Sequence, residues 1–257
     1  MNIRELHPAT LKEHLGDCRL GRILILFDTL NSTMDVCSDL GEADFPEGTV
    51  ITALHQRKGR GRKGRAWFSS SAGGLVFSVL LRPGGATEGL MTLFSYSIIQ
   101  AFDSENVKGM MKWPNDIYIN GGKAGGILAE GRKDFVVMGA GLNINEKAAD
   151  LPPEVAEDAS SLRMAAGRRF HRGKILCRVM EYFEKNYLAW KNMGLSPFLK
   201  GIREKILYIN ERVSVESGEK KLEGRFAGIS DEGYLLLETR NGTETLHSGD
   251  LTLRRKE

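Results

Sequence analysis

Hydrophobic and polar positions divide the first 208 residues into alternating strands and helices. Short apolar or β-branched runs predict buried strands at 22–28, 49–54, 74–81 and 135–142. The pair Asn120-Gly121 between two apolar runs predicts a hairpin of strands 117–119 and 126–128. Longer segments with helical periodicity predict helices from Ser32 or Thr33 to Leu40 and over 87–102, 174–192 and 197–206. This mixture predicts an α+β fold with a mixed sheet flanked by helices.

The pattern changes near Tyr208. Short strands are predicted at 212–215, 221–229, 234–238, 244–247 and 251–253, separated by turns that contain glycine. Closely spaced short strands with such turns are typical of a small β-barrel. The sequence therefore predicts two domains, residues 1–208 and residues 209–257.

Charge is distributed unevenly along this chain of 257 residues. It has 36 basic and 33 acidic residues, but six of the cations lie between Arg57 and Arg65, here called the cationic loop. Without that loop, 30 basic residues stand against 33 acidic ones. Residues 211–257 hold eight basic and ten acidic residues, so the predicted barrel lacks a positive surface. A generally basic protein that coats nucleic acid is excluded.

Cysteine usage and hydropathy indicate the compartment. The three cysteines, Cys18, Cys37 and Cys177, are odd in number and far apart, which argues against a disulfide framework or a zinc site. No run approaches the ~18 apolar residues of a membrane span, and the N-terminus does not resemble a signal peptide. We expect a cytoplasmic protein.

The cationic loop has the chemistry of an anion site. Its glycines allow backbone N–H groups to approach an anion closely, and its arginines supply bidentate donors. A polyphosphate, a mononucleotide and a nucleic-acid backbone all fit this chemistry, and a solvated surface loop is the alternative. A predicted strand precedes the loop, and Trp67-Phe68 follow it, as in an active-site lid. The loop contains no aromatic residue for base stacking, which disfavours a single-strand binder.

Two further segments carry candidate chemistry. Lys112-Trp113-Pro114-Asn115-Asp116 precedes Lys123, and Gly139-Ala140-Gly141-Leu142-Asn143 places glycines inside an apolar strand. Taken alone, Asn115-Asp116 are a plain turn pair and Lys123 a solvated edge residue. The glycines indicate the close approach of another part of the chain or of a ligand.

In combination, these segments resemble the biotin protein ligases. The motifs in order are Ser32-Thr33, then Gln56 with Gly59-Arg60-Gly61-Arg62-Lys63-Gly64-Arg65 and Trp67, then Lys112 to Asp116, Lys123 with Gly125-Gly126, and Gly139 to Asn143. The resemblance runs from about residue 23 to the C-terminus. It implies a class II synthetase-like catalytic domain followed by an SH3-like barrel.

The same resemblance implies a reaction in two steps. Biotin and ATP give biotinyl-5′-AMP, and biotin then passes to one lysine of the biotin carboxyl carrier domain of a biotin-dependent carboxylase. Mg²⁺ is expected to accompany ATP. Lipoate-protein ligase, another acyl-adenylate-forming enzyme, is the alternative activity, and a nucleic-acid-binding module is a more distant one.

Residue roles follow from the matched motifs. Lys123 and Arg60 are implied as catalytic residues. The implied biotin-binding residues are Ser32, Thr33, Gln56, Gly59, Arg60, Gly61, Arg62, Lys123, Gly126 and Gly139. The implied ATP-binding residues are Arg60, Arg62, Arg65, Trp67, Asn115, Asp116 and Asn143. Lys112 is the weaker catalytic candidate. Met34 departs from the family, which often has Asn there, so one hydrogen bond to biotin is expected to be missing.

Some relatives in this family carry an N-terminal helix-turn-helix domain that represses transcription. Only about 20 residues precede the first predicted strand, fewer than such a module needs. We therefore expect a monofunctional ligase that does not bind DNA or membranes. The sequence leaves open whether the chain forms a homodimer.

Overall fold

The computed structural model describes residues 3–68, 73–85 and 87–253. It confirms the α+β class, because a mixed sheet flanked by helices is joined to a separate antiparallel sheet. The larger sheet has seven strands in the order β1-β2-β3-β7-β6-β5-β4. Their bounds are β1 Leu24–Leu30, β2 Val50–Gln56, β3 Leu75–Leu81, β4 Gly109–Lys112, β5 Asp116–Ile119, β6 Gly122–Gly131 and β7 Val136–Leu142. β1 and β2 are parallel, and the other neighbours are antiparallel.

Helices cover both faces of this sheet. They are α1 Pro8–Leu15, α2 Thr33–Glu42, α3 Leu90–Ser104, α4 Pro153–Ala156, α5 Leu162–Ala166, α6 Arg172–Met193 and α7 Leu199–Lys205. The side chains of β3 point alternately to the two faces of the sheet. Because helices cover both faces, all seven residues of β3 are buried. Phe77 packs with Phe94 of α3, which in turn packs with Phe183 of α6. Val76 instead belongs to a separate cluster of buried side chains, which also contains Met34 and Cys37 of α2.

The predicted hairpin at Asn120-Gly121 is confirmed. Both residues have positive φ, 51° and 82°, as a two-residue turn with matching strand twist requires. Ile119 pairs with Gly122 immediately beside the turn. The turn sets the register that brings Lys123 and Asp116 close together.

Several elements differ from the sequence prediction. α3 begins at Leu90 after Gly89, whose φ is 78°, rather than at Thr87. The short elements α1, β4, α4 and α5 were not predicted. In α1 only Leu11 and Leu15 are buried, so its apolar pattern is too weak to recognise, and it is held by packing against α6.

The C-terminal sheet has five antiparallel strands in the order β11-β10-β9-β8-β12. They are β8 Arg212–Ser217, β9 Lys220–Ile229, β10 Leu235–Thr239, β11 Gly242–Leu246 and β12 Asp250–Leu253. Trp113 Nε1 donates to Gly233 O across the two sheets at 3.1 Å. The small antiparallel unit is confirmed, while the boundary at residue 208 stays a prediction. None of the helices in the described ranges is long and apolar enough to cross a membrane.

Glu146 is a buried carboxylate beyond the end of β7. Its side chain lies against Gly73, and among the residues that the structure describes its Oε2 has no hydrogen-bond partner. Burial raises the pKa of Glu146 to about 7, although nearby backbone N–H groups and Arg172 oppose the shift. The fold therefore favours the neutral carboxyl group.

Glu146→Gln should flatten the pH dependence of stability. The raised pKa means that the stabilising contribution of the neutral group is complete below the usual value of 4.5 and is lost as pH rises through about 7. The free energy of unfolding of the variant should thus rise relative to wild type between pH 4.5 and 8, by at most roughly 3 kcal/mol. Urea unfolding across this range measures the difference, with exposed Glu154→Gln as the matched control. Parallel profiles for wild type and Glu146→Gln would contradict the assignment.

Candidate active site

The cationic loop folds into a narrow hairpin. Arg60 forms a β-bridge with Ala66, and Gly61 N donates to Arg65 O at 2.8 Å. At its base, Trp67 N donates to Gly59 O at 2.9 Å. The loop is thus built on the end of β2, and its cations project from a defined backbone.

Carboxylates from separate elements pair with these cations. Arg60 lies 2.6 Å from Asp35 of α2 and 3.2 Å from Glu130 of β6. The tip of the loop instead contacts Asp250 of β12, which is 2.6 Å from Arg65 and 3.1 Å from Lys63. Each partly exposed pair contributes little to stability.

The pKa of Asp250 reflects these contacts. Partial burial alone would raise the pKa of this carboxyl, but hydrogen bonds and charges from Lys63 and Arg65 outweigh burial and hold it below the usual range. Asp250 is therefore ionised beside the loop at neutral pH.

Asn115 connects the loop to the larger sheet. Its Oδ1 accepts a hydrogen bond from Arg62 at 3.1 Å, and its Nδ2 donates to Ile127 O at 3.0 Å. The Trp113–Pro114 peptide bond before it is cis. Asn115 is thereby held by β6 and orients the Arg62 guanidinium.

Asp116 orients a further cation, Lys123. Its Oδ1 lies 2.7 Å from Lys123 Nζ, which is 5.9 Å from the centroid of the Trp67 ring. Lys123 pairs with Tyr118, so Asp116, two residues before Tyr118, lies diagonally across the two strands from Lys123. Lys123 is held in addition through its backbone, because its N–H donates to Asp158 O at 2.7 Å.

Trp67 lies over paired glycines. Gly126 of β6 and Gly141 of β7 are direct partners in the sheet. A Cβ on Gly126 would lie 3.2 Å from Trp67 Cζ3, and one on Gly141 would overlap the indole ring. The two glycines therefore leave the space that Trp67 occupies.

A second cluster surrounds the start of α2. Ser32 caps the helix by accepting from Met34 N at 3.2 Å, and Gln56 Oε1 accepts from Thr33 N at 2.7 Å. Ser78 Oγ donates to Thr33 Oγ1 at 2.8 Å. Gly139 lies under this cluster, because a Cβ there would overlap Met34 Sδ.

Asn143 lies at the end of β7 and bonds to backbone. Its Nδ2 donates to Ser160 O at 3.0 Å and makes a longer contact of 3.4 Å with Lys123 O. Its amide thus holds the segment that follows α4 against the start of β6. Lys112, by contrast, lies over the Tyr118 ring at 5.6 Å, outside the Lys123–Asp116 pair.

The structure brings most of the predicted site residues into three groups: the cluster at α2, the Lys123–Asp116–Trp67 group and the cationic loop. Sequence reasoning missed Asp35, Glu130, Asp250 and Ser78. Ser78 gave a usable signal, since it is the one polar residue in β3. The three carboxylates gave none, because they come from distant parts of the chain.

Comparison with known proteins identifies the family. The model described as Biotin/lipoate A/B protein ligase family matches residues 26–143, and that described as Biotin protein ligase C terminal domain matches residues 208–254. The structure resembles the biotin protein ligase from Aquifex aeolicus in complex with biotin and ATP, with a TM-score of 0.80 and 33% identity. That match covers 91% of this chain and 100% of the other.

Curated relatives agree with this result. The bifunctional ligase/repressor BirA of Bacillus subtilis (strain 168) is 34% identical over 91% of this chain and 75% of its own length. The biotin--[acetyl-CoA-carboxylase] ligase of Mycobacterium tuberculosis is 34% identical over 96% of both chains. The chain belongs to the biotin/lipoate A/B protein ligase family. Its activity is that of an ATP-dependent biotin protein ligase.

Gly141→Ala should displace Trp67, because the new methyl group would overlap the indole ring. We expect a changed tryptophan emission spectrum and a loss of about 1–3 kcal/mol in the free energy of unfolding, as in other overpacked sites. Gly131→Ala is the matched control, since a Cβ there meets no atom within 4 Å. The spectral change should vanish in a Trp67→Phe background. An unchanged spectrum in the single variant would contradict the predicted overlap.

Proposed function

We propose that consecutive residues Asn115 and Asp116 orient two cations for the ligase reaction. The supporting observation is that Arg62 lies 3.1 Å from Asn115 and Lys123 lies 2.7 Å from Asp116. Two cations from separate segments are thus held beside one short motif. Such an arrangement fits a reaction that must bring two anions, a carboxylate and a polyphosphate, into contact.

In the first step, a carboxylate oxygen of biotin attacks the α-phosphorus of ATP. A bond forms between them, the bond from that phosphorus to the bridging oxygen breaks, and pyrophosphate leaves. Lys123 and Arg60 are the proposed catalytic residues, since positive charge offsets the repulsion of the two anions and stabilises charge developing at phosphorus. Mg²⁺ enters as part of the ATP substrate and is held mainly by phosphates and water.

In the second step, the neutral ε-amine of a carrier lysine attacks the carbonyl carbon of biotinyl-5′-AMP. The amide bond forms, the bond from the carbonyl carbon to the phosphate oxygen breaks, AMP leaves with that oxygen, and the proton of the amine passes to solvent. The relative from Mycobacterium tuberculosis is named for acetyl-CoA carboxylase, which supports a biotin carboxyl carrier domain as the protein substrate.

The proposed biotin site uses the cluster at α2. Ser32, Thr33 and Gln56 carry hydroxyl and amide groups suited to the ureido ring of biotin. Gly59, Gly126 and Gly139 would form close walls together with Trp67 and Met34, which pack against them. Gly61, Arg60, Arg62 and Lys123 would lie towards the carboxylate. Met34 is a thioether where an amide is frequent, so it contributes packing instead of a hydrogen bond.

The proposed ATP site lies beside the cationic loop. Arg60, Arg62 and Arg65 supply charge for the phosphates, and Trp67 supplies an aromatic surface beside the adenylate. Asn115, Asp116 and Asn143 act through the groups they orient, because their side chains bond to Arg62, Lys123 and backbone carbonyls respectively. We assign this chemistry to a domain of residues 1–208, with residues 209–257 as a smaller C-terminal domain.

Biotin specificity can be tested directly against the lipoate alternative. Incubation with ATP, Mg²⁺ and equal concentrations of biotin and lipoate should yield biotinyl-5′-AMP and pyrophosphate, with little lipoyl-AMP, measured by mass spectrometry. A protein that forms lipoyl-AMP but no biotinyl-5′-AMP would overturn the proposal in favour of the lipoate ligase. Tight, salt-sensitive binding of DNA or RNA without either adenylate would favour a nucleic-acid-binding module.

Lys123→Ala should slow formation of biotinyl-5′-AMP by about 100-fold or more, because the charge next to the reacting groups is lost. Pyrophosphate release under single-turnover conditions measures this step. Lys133→Ala, at an exposed position in the turn after β6, is the matched control and should act like wild type. If Lys123→Ala is folded and releases pyrophosphate at a near-normal rate, another residue has the catalytic role.

A further inference from the structure

Asp250 connects the C-terminal sheet to the cationic loop. It is the first residue of β12, where its backbone pairs with Glu216 of β8. Its carboxylate lies 2.6 Å from Arg65, 3.1 Å from Lys63 and 4.0 Å from Arg62.

The backbone beside this carboxylate is closely packed. Gly249 O accepts from Arg62 at 3.3 Å, so the loop also contacts the backbone beside Asp250. A Cβ on Gly249 would lie 2.7 Å from Val215 and 3.6 Å from Trp113. The corner at 249–250 is therefore packed against both β8 and the segment that carries Asn115 and Asp116.

The charges do not balance at this contact. Three cations of the loop surround one carboxylate, so two positive charges are left over for another anion. The opposite side of the loop, at Arg60, is held by Asp35 and Glu130 of the larger sheet and its helix. At the tip, Arg62 also contacts Asn115, between β4 and β5 of the larger sheet, whereas the ion pairs of Lys63 and Arg65 are with the C-terminal sheet.

We infer that Asp250 is a positioning residue for ATP, which anchors the tip of the cationic loop so that Arg62 and Arg65 face the polyphosphate. This inference rests on the proposed function. It makes the C-terminal sheet part of the nucleotide site, although Asp250 itself contacts loop cations and not the reacting atoms. The opposite role, a carboxylate that occupies the phosphate site until ATP displaces it, predicts the reverse effect on ATP binding.

The experiment compares Asp250→Asn, Asp250→Ala and Asp250→Glu with wild type. Glu216→Gln is the matched control, because it makes the same charge change on the neighbouring strand while Glu216 pairs with Lys221 and not with the loop. We measure kcat and KM for ATP and for biotin in adenylate formation. Trypsin cleavage after Arg62, Lys63 and Arg65 in the ligand-free protein reports on the loop.

Asp250→Asn and Asp250→Ala should raise KM for ATP by about fivefold, the size expected when partly exposed ion pairs are lost. KM for biotin should change less than about twofold, and the loop should be cleaved faster. Asp250→Glu should restore most of the ATP affinity, and Glu216→Gln should match wild type.

Three results would overturn the inference: an unchanged or lowered KM for ATP, an unchanged cleavage rate, or equal increases in both KM values together with a lowered Tm. The last result would show a general loss of structure. These outcomes are separate from a failure of the proposed function, since in that case wild type itself forms no biotinyl-5′-AMP.

Discussion

Repulsion between like charges is the constraint on which the candidate site depends. Six cations within nine residues repel one another strongly unless anions approach them. In this protein the anions are Asp35, Glu130 and Asp250, which come from a helix, a central strand and the C-terminal sheet. These three carboxylates lie beside the loop only in the assembled fold, because they come from separate elements. The pairing of the loop with anions is therefore a property of the whole molecule.

Space is the second constraint, and glycine provides it. Gly126 and Gly141 lie opposite each other in the sheet and leave room for the Trp67 indole. Gly139 does the same for Met34. Glycine weakens a strand, but β6 and β7 each pair with a strand on both sides, and the hydrogen bonds to those neighbours hold them. The cost in strand stability is offset by packing that holds an aromatic ring between the loop and Lys123.

The fold was largely predictable from local patterns. The hairpin at Asn120-Gly121 was predicted because the turn needs two residues with positive φ, a preference that is local. The helix beginning after Ser32 was predicted for the same kind of reason, since a hydroxyl can cap a helix within a few residues. The start of α3 was misplaced because the residue before it, Gly89, has no side chain that could cap the helix and mark its start. The helix α1 was missed because its stability comes from contact with α6.

Order and spacing of motifs in the sequence determined the class of chemistry: a cationic loop between strands, an Asn-Asp pair and a lysine beyond a tight turn. Side-chain type alone indicates a general anion site, and the resemblance of these motifs to the biotin protein ligases is what implies adenylate chemistry. Only the tertiary structure decided which carboxylate meets which cation. Asp250 is 185 residues from Arg65, yet their side chains are 2.6 Å apart. Such a contact leaves no local pattern, because it depends on how two separate sheets pack together.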